Sequence, residues 1–246
     1  MSWSEQLNAR IIRCRLCPRL TAYRERVGCE KKREFSTWDY WAKPVPSLGE
    51  PNARLLIIGL APAAHGGNRT GRIFTGDSSG RWLFRALHKA GFVNQPTWQR
   101  RDDGLTLLDC YIMAVIHCAP PGNKPLPKEV EHCSRFFDEE LQRLKHVRVV
   151  ITLGKIAFDN YLTGLRRLGV RLPKPLPQFA HNTVHTLGLC SRSVSCGRAE
   201  AHAATPKTVA LIASYHPSRQ NTNTGKLTEP MFDTVFAQAK RILAES

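Results

Sequence analysis

Four short apolar runs, each feeding forward into a segment with helical spacing, constrain this 246-residue chain more than any other feature. The first, Leu55–Gly59, reads Leu-Leu-Ile-Ile-Gly, a continuous run of the kind buried on both faces of a parallel sheet. A long loop follows it, then a helix over about 80–90 with Leu83, Leu87 and Ala90 on one face and Gly91 as its stop. Three more cycles repeat the theme: a strand at 108–116 with a helix at 128–145, a strand at 147–153 with a helix at 155–162, and a strand at 209–214 with a helix at 231–243. Such alternation predicts an α/β protein, a three-layer α/β/α sandwich with a central, mainly parallel sheet of four strands. At 42% hydrophobic residues the chain can bury a real core, and its length suits a single domain over 1–246. The interval 164–207, rich in Pro, Arg, Ser and His, reads as an elaborated loop or insertion. Its His181, His185, Cys190, Cys196 and His202 match no standard zinc spacing, so no metal is expected there.

Before the first strand, Ser2-Trp3-Ser4-Glu5 has capping-box spacing, and Leu7 with Ile11 gives the following helix an apolar face. The stretch 33–51 carries Trp38, Tyr40 and Trp41 and reads as an ordered loop lying on the domain, because three large rings would be costly left in water.

Lys and Arg number 36 against 20 acids, a formal charge of +16 distributed along the chain. A whole-domain excess of this size is the footprint expected of a phosphate-backbone binder, and neutralising about six phosphates would make affinity fall roughly a thousandfold from low to physiological salt. No run approaches the ~18 consecutive apolar residues of a membrane span, and no export signal stands at the start, so a cytoplasmic, nucleoid-associated monomer is expected. In a reducing compartment, eight cysteines point to metal or redox chemistry more than to disulfides. Cys14 and Cys17 in CRLCP, Cys118 in HCAPP and Cys133 fifteen residues on could together form a four-thiolate site, suited to zinc or iron-sulfur.

In open parallel sheets ligands bind at the carboxyl ends of the strands, and three unusual loops start there. The first, 59–80, holds six glycines but neither GxxxxGK[ST] nor GxGxxG. Within it Arg69 and Arg72 meet phosphates or solvent, Phe74 is either a core plug or a stacking platform for a base, and Asp77 is either a helix cap or a general base. The second offers Asn123 in a proline frame, a turn residue or a reader of base edges. In the third, His216 stands where an imidazole could stabilise an oxygen that gains charge, and Ser218, Arg219 and Gln220 are a wedge into duplex or a solvated loop.

The stretches GLAPAAHGGNRTGRIFTGD and YHPSRQNTNTG, with the CxxCP opening and CAPPGNKP, closely resemble the uracil-DNA glycosylase superfamily, its family 5 in particular. The resemblance implies hydrolytic removal of uracil, and of other deaminated bases such as hypoxanthine, from double-stranded DNA. It implies a 4Fe-4S cluster on Cys14, Cys17, Cys118 and Cys133, with a structural role. Most of the superfamily carries an acid or Asn just after the first strand, whereas this chain has Ala61-Pro62-Ala63-Ala64, the pattern of family 5. The resemblance therefore gives the base role to Asp77, with His216 and Asn123 as its catalytic companions and Phe74, Gly59, Leu60 and Ala61 around the base. DNA contacts fall to Arg69, Arg72, Ser218, Arg219 and Gln220. The rival readings are a non-catalytic iron-sulfur nucleic-acid-binding module and a zinc-stapled nucleotide-processing enzyme.

Overall fold

The computed structural model describes residues 1–189 and 208–245. In chain order its elements are α1 (Trp3–Ile12), α2 (Pro18–Glu30), β1 (Leu48–Gly49), β2 (Leu55–Gly59), α3 (Gly67–Thr70), α4 (Ser78–Ala90), β3 (Cys110–Ala114), α5 (Pro127–Arg143), β4 (Val149–Leu153), α6 (Lys155–Arg167), β5 (Thr183–Gly188), β6 (Thr208–Ser214), α7 (Arg219–Asn223) and α8 (Glu229–Ala244). Short 3-10 turns occupy Arg33–Phe35 and Pro121–Asn123.

The sheet runs β1-β3-β2-β4-β6-β5. Its four central strands are parallel and correspond to the four apolar runs; β1 and β5 add antiparallel edges. The sheet thus has six strands rather than the four expected, and β5 falls inside the interval read as an insertion. Both edges escape a pattern search for the same reason. A central strand buried on two faces must be apolar throughout, and β2, β3 and β4 are buried at every position, whereas β1 has two half-buried residues and β5 a single buried one.

Period-two geometry divides β2 between the layers. Leu55 and Ile57 face the core formed with α4 and α8, while Leu56 and Ile58 face the core formed with α5 and α6. The first core is anchored by Leu83 and Leu87 of α4 against Phe232, Val235 and Phe236 of α8. Truncating a fully buried ring such as Phe236 to Ala would cost about 3–5 kcal/mol. A smaller cluster of Leu7, Ile11 and Phe136 docks α1 onto α5. Ser2 and Glu5 form the expected capping box on α1, with Ser2 N–H donating to Glu5 Oε2 at 2.6 Å. Helix α4 starts two residues before the predicted boundary, because Asp77 caps it.

Among the described residues no helix is long and apolar enough to cross a membrane. Of the 164–207 histidines, the His181 ring stacks on Tyr215 at 4.9 Å and His185 contacts the Gln178 carbonyl; Cys190, Cys196 and His202 lie outside the described residues.

Candidate active site

The loops that leave the C-terminal ends of β2, β3 and β6 meet around a cleft of about 690 Å³. The β2 loop brings Leu60, Ala61, Phe74 and Asp77 to its wall, the β3 loop brings Asn123, and the β6 loop brings His216, Ser218, Arg219 and Gln220. Gly59 lies one layer deeper. A Cβ there would come within 2.7 Å of Phe74 Cζ, so the bare backbone is what lets the edge of the ring approach the end of β2.

Phe74 is both plug and platform: only 8% exposed and part of the α4/α8 core, it still lines the cleft. Its φ of +53° is unusual for a bulky residue and costs on the order of 1–2 kcal/mol, which the surrounding packing must offset. Its ring centroid lies 6.2 Å from that of His216, with a 31° tilt between planes.

Asp77 is likewise both cap and cleft residue. Its Oδ1 accepts the Gly80 N–H at 2.8 Å, and its Oδ2 packs so tightly on Gly66 that any Cβ there would collide with it. Loss of hydration raises the carboxyl pKa above its ordinary value, opposed by the Gly80 and Ser79 N–H groups and by the charges of Arg69 and Arg219. A carboxylate held this way is a better proton acceptor than one in water. His216 is pushed the other way, to a pKa of about 4, by desolvation, so its imidazole is neutral at physiological pH and carries an N–H without a formal charge. Asn123, exposed and with φ of +57°, ends the turn at Pro121–Asn123.

Two expected DNA contacts need correction. Arg72 is 4% exposed, its guanidinium bidentate to Asp103 at 2.7 and 2.8 Å and its Nε donating to Thr75 Oγ1. Arg69 is 3% exposed, its Nε donating to the His65 carbonyl and its Nη2 to that of Gly76. Arg72 spends its donors inside the protein, and the Arg69 guanidinium is buried, so neither side chain is turned outward to meet a phosphate. A basic residue beside glycines in a sequence carries no mark of which way its side chain turns.

Sequence reasoning also missed a fourth wall. Helix α2 places Tyr23 on the cleft, the Arg33–Phe35 turn and the residue before it place Lys32, Glu34 and Phe35 there, and His65 of the β2 loop joins them, its Nδ1 3.1 Å from Tyr40 Oη. The aromatic stretch 33–51 does lie ordered on the fold, but nothing in its composition aimed it at the strand ends.

On another side of the molecule, Cys14 and Cys17 between α1 and α2, Cys118 after β3 and Cys133 in α5 line one cavity of about 20 Å³. All four thiols are free. Among the described residues no three His, Cys, Asp or Glu side chains stand close enough to hold a metal ion. The donor chemistry nonetheless suits a thiolate-bound cluster: four sulfurs, apolar walls from Ile11, Leu20 and Phe136, and no carboxylate among the lining residues. Arg24, 2% exposed, donates to Cys118 Sγ at 2.9 Å. Burial raises Cys118 to about 11 and also raises Cys17 and Cys133, and a bound metal centre would favour their thiolate forms.

A cleft at the carboxyl ends of the strands, with an acid and an imidazole on its walls, is where an open α/β protein binds its ligand. The family model for the uracil DNA glycosylase superfamily matches residues 46–240, and the chain belongs to that superfamily. A type-5 uracil-DNA glycosylase of Thermus thermophilus is 46% identical over 229 residues, 93% of each chain. One from Mycobacterium tuberculosis is 43% identical over 238 residues, covering 96% of this chain and 81% of the relative. A type-4 uracil-DNA glycosylase of Archaeoglobus fulgidus is 31% identical over 153 residues, 59% of this chain and 67% of the relative.

Proposed function

We propose that this chain removes uracil from DNA by hydrolysing the bond between base and sugar, leaving an abasic site, with Asp77 and His216 as its principal catalytic groups. The observation that carries the reading is that these two side chains, shifted in opposite directions by the same dehydration, share one cleft with Phe74.

The nucleotide leaves the stack at a cost of a few kcal/mol and its base lies against Phe74, with Asn123 reading its edge. As the bond between C1′ and the base breaks, the base gains negative charge and the sugar positive charge. The His216 N–H meets the negative oxygen, and the Asp77 carboxylate favours the cationic sugar while orienting water. The water oxygen bonds to C1′, its proton passes to Asp77, and the base departs as an anion that is protonated afterwards. A neutral imidazole suits this role, since it donates a hydrogen bond without surrendering its proton to solvent first.

Ser218, Arg219 and Gln220 are the duplex-facing residues, Arg219 and Gln220 being exposed at the mouth. Leu60, Ala61, Ala63 and Ala64 leave that wall with small or aliphatic side chains, room that would admit hypoxanthine as well as uracil. Cys14, Cys17, Cys118 and Cys133 would hold a 4Fe-4S cluster, which would supply a rigid covalent junction among α1, α2, α5 and the β3 loop and no step of the reaction.

Incubating the protein with a uracil-containing duplex, then hot alkali, should break the strand at the uracil. An intact strand would leave only a binding module. Repeating the assay with hypoxanthine tests the breadth of the pocket, and brown colour with iron and sulfide in the purified protein tests the cluster.

A further inference from the structure

Arg69 is a buried cation that forms no ion pair with a carboxylate among the described residues. Its guanidinium lies between two rings, Cζ 3.8 Å from the centroid of Phe35 and 4.1 Å from that of Trp38. Arg100 covers the same indole, its Cζ 4.8 Å from the Trp38 centroid. Arg69 Nη1 has no hydrogen-bond partner among the described residues. Desolvating an unpaired charge so fully is costly, and two aromatic faces recover only part of that cost, so the placement calls for a reason.

The other two guanidinium nitrogens supply one. Nε donates to the His65 carbonyl at 2.8 Å and Nη2 to the Gly76 carbonyl at 2.9 Å. Gly76 immediately precedes Asp77, and His65 immediately precedes Gly66, the glycine packed on Asp77 Oδ2. One planar fork therefore ties together the two backbone segments that enclose the carboxylate. Lys could not do this, having a single point donor on a flexible stem.

We infer that Arg69 is a positioning residue for Asp77: clamped between Phe35 and Trp38, it fixes the two strands of loop around the carboxylate and places a buried positive charge near it. The inference rests on the reading of Asp77 as the catalytic base. The Arg33–Phe35 turn and Trp38 acquire a role as well, since they hold the clamp from outside the loop.

The groups acting on Asp77 come from several elements: Arg69 of α3, Arg219 of α7, and the Gly80 and Ser79 N–H groups of α4. His216 of the β6 loop, His65 of the β2 loop and Glu34 of the Arg33–Phe35 turn share its cleft. Removing the Arg69 charge leaves desolvation less opposed, so the carboxylate takes up a proton at higher pH and the acid limb of the rate profile moves up.

The test is the pH dependence of single-turnover uracil release, with duplex affinity measured in parallel, for Arg69→Gln, Arg69→Lys and Asp77→Asn. Arg69→Gln should lower the plateau rate about 100-fold, the usual scale for a misplaced catalytic group, and move the acid limb to higher pH with affinity unchanged. Arg69→Lys keeps the charge and loses the fork, so its limb should stay in place while its plateau falls. Should Arg69→Gln fail to fold, Trp38→Leu, which loosens the clamp from one side, should lower the plateau with normal affinity. A limb for Arg69→Gln that coincides with the wild type, alongside an inactive Asp77→Asn, overturns the inference alone. An unchanged Trp38→Leu plateau, if that variant carries the test, does the same. Full activity in Asp77→Asn overturns the catalytic reading and the inference with it.

Discussion

The thiol-lined cavity and the cleft use one device for opposite ends. Each is organised by a buried arginine: Arg24 spans three separate segments through Cys118 Sγ, the Ala42 carbonyl and the Cys14 carbonyl, and Arg69 ties His65 and Gly76 within one loop. The thiol pole then closes to about 20 Å³ among helices and apolar side chains, whereas the cleft stays open at about 690 Å³ among loops at the strand ends. A site that only holds chain segments together gains from being small and dry. One that must admit a nucleobase needs volume, and it keeps its precision by fixing the loops from behind. The two regions are joined through the β3 loop, which carries Cys118 to the pole and, five residues later, Asn123 to the cleft.

If chemistry belongs to the cleft and integrity to the pole, mutations should separate accordingly. The largest effect is expected for Asp77→Ala: a fall of roughly 100 to 10,000-fold in single-turnover rate with duplex affinity retained. His216→Ala should follow with about a 100 to 1,000-fold loss, and because the wild-type ring is neutral, no limb attributable to it should appear near pH 6–7. Normal rates in both would place the chemistry elsewhere.

Cys133→Ser should do the reverse, lowering the melting temperature by several degrees, at roughly 2–4 °C per kcal/mol for a chain of this size, with a smaller change in rate per folded molecule. A purely catalytic defect there would break the division between pole and cleft.

A gentler probe lies on the same helix as Cys133. Glu140 is fully buried, accepts the Tyr111 hydroxyl at 2.8 Å, and is raised by desolvation to a pKa of about 7. The folded state therefore holds this proton more tightly than the unfolded chain. The associated stability is complete below the ordinary carboxylate pKa near 4.5 and is lost as pH rises through 7. On the order of 3 kcal/mol is at stake across that window. Denaturant titrations of Glu140→Gln should show that slope flattened; an unchanged slope would assign the pH dependence to other groups. The smallest effect belongs to the mouth of the cleft, where Arg219→Ala should weaken duplex binding and reduce the salt slope by about one.

How far the sequence reached can be judged residue by residue. The four parallel strands were legible because burial on two faces demands unbroken apolar runs, and the meeting of three loops at their ends followed from that. Asp77, His216, Phe74 and Asn123 were legible as residues of the same cleft on this account. The edge strands β1 and β5 were not, since strands half open to solvent need no apolar pattern. Nor was the fourth wall, because Phe35 reaches the cleft through the path of the chain after α2, which no local periodicity encodes.

What the sequence determined by itself was the layered α/β architecture and the identity of the groups that carry charge or protons, because burial and chemistry are written in residue type. Only the tertiary structure decided orientation. Arg69 and Arg72 turn inward and Arg219 outward, though all three are arginines in polar segments that follow a strand end. Whether a guanidinium meets solvent, a ring or a carbonyl depends on what distant segments place beside it, and that is settled by packing in three dimensions.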